Sequence, residues 1–385
     1  MMRAERARGL RDPISSVVAR QPGSVRRTTH LDVGPWEAAG PGALWMQGWA
    51  RDAVTPDTAG PGGSSGALEG ERLLPGVTAL GETALSAGFD PERALGDLCL
   101  DPPVPWADKL LGTRAAAGFR GRIEEVAPEG DRSLARQLLD DLPAGALIAG
   151  YSLIRLAQRV GHEPAVTIPP ERIEKLSGTC SGWRPGGYAL ETVLAGLGVP
   201  VQDCPPATDL SAGDPVGWHA IGPLAPDVMR RRRLVDVSQG EDGSFSVWAM
   251  FRDTIGEPGG GESVLHEYVV ELEVGPPHAE RIVGRDHDHD ALVVRRIVAA
   301  PRVLPFPECP AAAGFVGRLV GVAVADLPAA ALERSSGVEC CTHLNDLLRS
   351  LGSISELARA LCRSGEHAGF GEAFALSLPD AEDLT

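Results

Sequence analysis

One set of residues occurs twice in this chain, about two hundred positions apart. Arg26, Arg27, Asp32 and the pair Arg51-Asp52 return, in the same order, as Arg230, Arg231, Asp236 and the pair Arg252-Asp253. The register changes by three residues between copies: 25 positions separate Arg26 from Arg51, and 22 separate Arg230 from Arg252. Further on, the run Ala115 to Ile123 returns as Ala311 to Leu319, both built around Ala-Ala-Ala-Gly-Phe, and Gln137-Leu138-Leu139-Asp140 aligns with His343-Leu344-Asn345-Asp346. A unit this long is not a solenoid repeat. It implies two related halves of one α+β fold, each with antiparallel strands followed by helices, arranged about a pseudo-two-fold.

The second half shows its strands most clearly. Leu234 to Val237, a Gly240-Glu241-Asp242-Gly243 turn and Ser244 to Arg252 have the residue types of a hairpin. After Gly259-Gly260-Gly261, the segment Val264 to Val274 alternates, so His266, Tyr268, Val270 and Leu272 share one face while Leu265, Glu267, Val269 and Glu271 share the other. A fourth strand over Ala291 to Ala299 runs into prolines 305, 307 and 310, which fix Cys309 in a rigid corner before a helix from Ala311. The expected organisation is a flexible basic arm over residues 1–24, a first half over 25–185, a Gly/Pro/Asp-rich connector over 186–225, a second half over 226–360 carrying the site, and an extension over 361–385.

Composition narrows the function. A hydrophobic content of 43% supports full cores, and a net charge of -16 argues against a nucleic-acid surface, which must neutralise phosphates. Lys109 and Lys175 are the only lysines, so arginine carries the positive charge. Seven scattered cysteines do not make a secreted disulfide framework, and no apolar stretch is long enough to cross a bilayer. A cytoplasmic chain with reduced thiols, no membrane and no nucleic-acid partner is expected. The partners that fit are a small-molecule substrate and, as one option, a second copy in a homodimer.

Only the second copy carries groups able to do chemistry. Leu344, Leu347, Leu348 and Leu351 mark one apolar helical face, with Thr342 as the expected N-cap; Cys340 and Cys341 then sit at the positive helix end, where a thiol should ionise readily, and His343 lies in the first turn. Catalytic roles are expected for His266, Cys341 and His343. Substrate contacts are expected from Arg252, with Asp253 fixing its guanidinium, and from His219, Arg302 and Asn345. No cofactor is expected on this reading. The alternative is a zinc site of Cys309, Cys341, His343 and His266, although no Cys-x-x-Cys pair is present. The run Asp286-His287-Asp288-His289-Asp290 has ligand-type residues but reads equally as an exposed turn.

Several motifs in order, Arg230 to Asp236, Phe251-Arg252-Asp253, His266-Glu267-Tyr268, Pro301 to Pro305, Glu308-Cys309-Pro310 and Cys341 to Asp346, resemble the uncharacterised bacterial family DUF2889 over roughly residues 225 to 355. The resemblance groups these residues without naming a reaction. The function expected from the residues is a cofactor-independent lyase, cyclase or hydrolase acting on a small carboxylated or carbonyl-containing metabolite, with proton transfer by His266 or His343 and Cys341 as acid or nucleophile. The alternatives are a non-catalytic binding or assembly protein, and a zinc protein built on the Cys/His cluster.

Overall fold

Eight antiparallel strands form one continuous sheet in the order β4-β3-β2-β1-β5-β6-β7-β8. They are β1 (Ser24–Pro35), β2 (Leu44–Thr55), β3 (Thr78–Phe89), β4 (Leu95–Asp101), β5 (Met229–Gln239), β6 (Phe245–Gly256), β7 (Glu262–Gly275) and β8 (Val293–Val303). The helices are α1 (Phe119–Val126), α2 (Leu134–Arg159), α3 (Pro170–Leu176), α4 (Tyr188–Leu194), α5 (Leu327–Glu333), α6 (Thr342–Ser350) and α7 (Ile354–Ser364), with a 3-10 helix over Cys309–Leu319. This computed structural model describes residues 9–56, 77–159, 168–200, 203–240, 243–277 and 289–364. Each half thus runs from antiparallel strands into helices, an α+β arrangement repeated along the chain.

The two halves meet where β1 pairs with β5, Thr29 opposite Arg233. On either side of that pair the repeated residues meet reciprocally. Arg26 lies opposite Asp236 and Arg230 opposite Asp32; each guanidinium Nε donates to the carboxylate at 2.6 Å. The next pair also recurs, Arg27 with Asp52 at 2.8 Å and Arg231 with Asp253 at 2.7 Å. The β2–β3 and β6–β7 pairings both shift register directly after that aspartate, at Asp52/Ala53 and at Asp253/Thr254, with the extra residue on the partner strand, Leu80 of β3 and Leu265 of β7. A bulge of this kind bends the strand and re-aims the side chains beside it.

Alternation along the strands gives the sheet two different faces. One carries two apolar cores, Phe251, Tyr268 and Val270 with α5, α6 and α7 in the second half, and Leu31, Met46 and Phe89 with α1 and α2 in the first. Helix α2 crosses between them; Pro143 interrupts its hydrogen bonding, and Gly145 lets it approach β1 and β2 so closely that a Cβ there would lie 2.9 Å from Leu31 Cδ2. The other face carries buried arginines covered by two segments expected to be mobile or linking. The expected flexible arm is anchored from Gly9 onward: Asp12 N–H donates to Arg302 O at 3.0 Å, and Ile14 and Val17 pack with Leu210 and Trp218 of the connector against Leu234, Met250 and Val269. Arm and connector cover a row of sheet arginines and replace their lost hydration with carboxylates and carbonyls, Asp214 of the connector accepting from both Arg20 and Arg26 at 2.9 Å. Among the described residues no helix is long and apolar enough to cross a membrane.

Candidate metal centre

Alternation along β6 sets Asp253 on the helical face with Phe251, and β7 presents His266 directly opposite it, next to the extra residue Leu265. Helix α6 lays His343 over the pair. His266 Nδ1 lies 3.2 Å from Asp253 Oδ2, His343 Nε2 lies 3.9 Å from the same oxygen, and the imidazole rings stack with centroids 3.9 Å apart. One ligand-type atom from each residue falls within 4.8 Å of the others, and among the described residues this is the only such group of three. Ligands about 2.0–2.2 Å from a shared ion lie roughly 3–3.5 Å apart, so the 3.2 Å pair already fits, the 3.9 Å pair must close by about half an ångström, and the widest spacing, within 4.8 Å, by up to about 1.3 Å.

Each member is oriented by groups outside the triad. Arg231 clamps Asp253 with two hydrogen bonds, 2.7 and 2.9 Å, and donates a third to Asp346 at 3.0 Å; Arg120 holds Asp346 in turn at 2.7 Å. Arg231 therefore divides its charge between two carboxylates. Burial alone would raise the Asp253 pKa, but the Arg231 guanidinium and the His266 hydrogen bond together outweigh it and hold the carboxyl well below the usual carboxylate range. Burial, reinforced by His266, pushes His343 well below the ordinary imidazole value and keeps its ring neutral, the form that binds metals. Tyr151 of α2 sets its ring edge against His266 at 5.0 Å, and Phe251 stacks on His343 at 6.1 Å. His266 Nε2 and His343 Nε2 are both buried with no hydrogen-bond partner among the described residues. A buried ring nitrogen without a partner is costly; a cation shared with Asp253 would satisfy His343 Nε2, while His266 would meet it through Nδ1, the nitrogen that faces Asp253.

The structure distributes the other expected site residues differently. Cys341 Sγ lies 3.9 Å from His343 Nδ1, the ring nitrogen facing away from Asp253. It is the N-cap residue of α6, a role expected of Thr342. Its thiol does not ionise readily: burial outweighs the helix end and pushes the pKa up to about 12. Cys309 lies outside the triad; its carbonyl accepts from the Tyr268 hydroxyl at 3.4 Å and its thiol approaches Gly182. Of the expected Cys309, Cys341, His343 and His266 set, the structure brings His343 and His266 together, with Asp253 as the third ligand-type residue beside them.

Arg252 points to the opposite face, fully buried, bound to Glu267 and donating to Thr208 O and Ile14 O at 2.9 and 2.6 Å. Adjacent strand residues cannot share a face, so Asp253 fixes Arg231 rather than Arg252. His219 belongs to the arginine face of the first half, 3.6 Å from Glu82 and beside His30. Arg302 pairs with Asp12 at 2.7 Å, and Asn345 Oδ1 accepts from Ser335 at 3.1 Å. Of the ligand-type run before β8, residues 286–288 lie outside the described residues, and His289 packs near Phe245. The groups not anticipated as site residues, Arg231, Tyr151 and Asp346, come from three separate elements; the recurrence of Arg231 in the repeat was the available signal.

Strand β5 through the start of α7 supplies every ligand and the Arg231–Asp346 support. Residues 229–356 match DUF2889, a family described as a protein of unknown function. The DUF2889 segment thus contains Asp253, His266 and His343 complete, while Tyr151, Arg120 and the whole first-half sheet lie outside it. No curated protein and no solved structure matches the chain significantly.

Proposed function

We propose that the chain is a metal-binding protein whose DUF2889 segment holds one divalent cation on Asp253, His266 and His343. The supporting observation is the convergence of these three groups, with His343 Nε2, the ring nitrogen facing Asp253, buried and left unpartnered among the described residues. One carboxylate and two imidazoles suit Zn²⁺, Fe²⁺ or Mn²⁺ and leave coordination positions for water or substrate. In this reading Arg231 orients Asp253, Cys341 and Thr342 face the second ring nitrogen of His343, and Tyr151 limits water at His266.

We also infer that the chain is an internal duplication about a pseudo-two-fold, with one half retaining the site. The aspartate is present in both halves, but Asp52 lies opposite Gly81 where Asp253 lies opposite His266, and Gln137 stands at the repeat position of His343. The first half keeps the arginine-aspartate scaffold and lacks both imidazoles.

The test is equilibrium dialysis of the full chain against zinc, iron(II) and manganese, followed by elemental analysis. The reading expects one ion per chain, lost in His266→Ala, His343→Ala and Asp253→Asn and retained in Cys309→Ser. A stoichiometry unchanged in all three ligand variants would reject it. A second reading rests on His266 alone: Asp253 at Nδ1 leaves Nε2 free to take a proton, as expected of a metal-free enzyme on a small carboxylated or carbonyl substrate. That reading expects no retained metal and a turnover indifferent to chelator.

A further inference from the structure

Away from the triad, α2 and the end of α6 enclose a small polar cleft of about 40 Å³. That is room for roughly three water-sized groups, the scale of a single small anion rather than a nucleotide. Arg132, Arg136 and Gln137 line it from the first half, Arg349 and Ser353 from the second. Two carboxylates also reach its wall. Glu124 is engaged by Arg136 and half exposed, and Asp140 stands 3.5 Å from Arg120 and 3.4 Å from Arg349. Three arginines against two carboxylates leave the lining positive.

One buried side chain in this cleft lacks what burial normally demands. Arg349, with its side chain 10% exposed, has a buried Nε with no hydrogen-bond partner among the described residues, and its other nitrogens reach Pro328 O and Asp140 only at 3.4 Å. Gln137 lines the same cleft, and its side-chain amide, open to the solvent of the cleft, makes no hydrogen bond to any described residue. A native interior pairs a buried nitrogen like that of Arg349 with protein, water or ligand. The cleft also borders the start of α2, a helix of 26 residues in which Ser133 Oγ caps Arg136 N–H at 3.2 Å and Asp131 Oδ1 accepts from Ser133 N–H at 2.8 Å.

We propose that this cleft binds a phosphate group, with Arg349 and Gln137 donating to its oxygens and Arg132 and the α2 N-terminus supplying positive potential. Donors arriving from two helices and a helix end surround a volume and suit a tetrahedral oxyanion; a planar carboxylate is served by one guanidinium fork. The bound group would bridge α2 of the first half to α6 of the second. The inference is independent of the metal reading, since it shares no ligand with the triad.

The test is calorimetric titration of the full chain with inorganic phosphate at constant ionic strength, with acetate as the planar control and glycerol phosphate as an ester. The expected result is saturable binding at one site, weakened about tenfold or more by Arg349→Gln and several-fold by Gln137→Ala. Gln137→Ala should melt as the parent does without phosphate, because its side chain holds no protein partner, so it remains informative if Arg349→Gln folds poorly. Tighter binding of the ester would identify a phosphorylated metabolite as occupant, and equal binding would identify free phosphate. No saturable binding up to about 10 mM, acetate binding as tight as phosphate, or phosphate affinity unchanged in both variants would overturn the proposal.

Discussion

Replacing Arg252 with methionine should destabilise the protein severely without touching the metal centre. Arg252 and Glu267 are both fully buried, and the guanidinium also satisfies Thr208 O at 2.9 Å and Ile14 O at 2.6 Å, while Glu267 accepts from Ile14 N–H at 2.7 Å. Burial dominates at Glu267: even beside Arg252 its pKa stays above the ordinary carboxylate value. Arg252→Met leaves that carboxylate without its counter-charge, held by the Ile14 N–H alone, and two carbonyls without the guanidinium, and breaking a buried pair from one side costs about 3–5 kcal/mol. Adding Glu267→Gln removes the stranded charge while keeping an acceptor for Ile14 N–H, and should recover about 1–3 kcal/mol. Urea unfolding of parent, single and double variants measures both steps. A single-variant loss below about 1 kcal/mol, or no recovery in the double variant, would refute the argument that this pair clasps the N-terminal segment onto the sheet.

Three further outcomes follow from the same geometry. Burial, with the His219 ring next in effect at His30 and Arg51 next at His219, lowers both imidazoles, His219 to about 4. The unfolded chain then takes up protons first, so stability is full above about pH 6.5 and falls toward pH 4 by up to about 1.4 kcal/mol per unit for each histidine; His219→Gln should flatten that fall, and an unchanged slope in pH-dependent melting would count against a neutral buried His219. Gly182→Ala would place a Cβ 2.7 Å from Cys309 Sγ and 3.0 Å from Phe306, costing about 1–3 kcal/mol in chemical denaturation, and a neutral result would show that this corner yields easily. Cys99 is exposed, whereas burial raises the Cys309 pKa, so a maleimide at pH 8 should label Cys99 within minutes and Cys309 only on unfolding, with peptide mapping as readout.

The parts of the fold legible in the sequence were those written in local alternation. Val264 to Val274 separates His266 from Glu267 onto opposite faces, and the structure gives one to Asp253 and the other to Arg252. The same rule, applied to Arg252-Asp253, separates them too; reading those neighbours as one clamp missed that Arg231 is the partner of Asp253. His343 was legible as a first-turn residue of an apolar-faced helix, but its meeting with β6 and β7 depends on tertiary packing. So does the Cys341 thiol, where a local helix-end argument loses to burial. The arm and connector read as linkers because Ile14, Val17, Leu210 and Trp218 are too widely spaced to show a period, and their role as a lid on the arginine face emerges only once the sheet exists.

Crystals of the full chain equilibrated with zinc and measured on both sides of the zinc absorption edge test the metal centre most directly. The account predicts one anomalous peak about 2.0–2.2 Å from a carboxylate oxygen of Asp253 and from a ring nitrogen of each of His266 and His343. A peak on the cysteines instead, or none at this triad with zinc bound elsewhere, would contradict it.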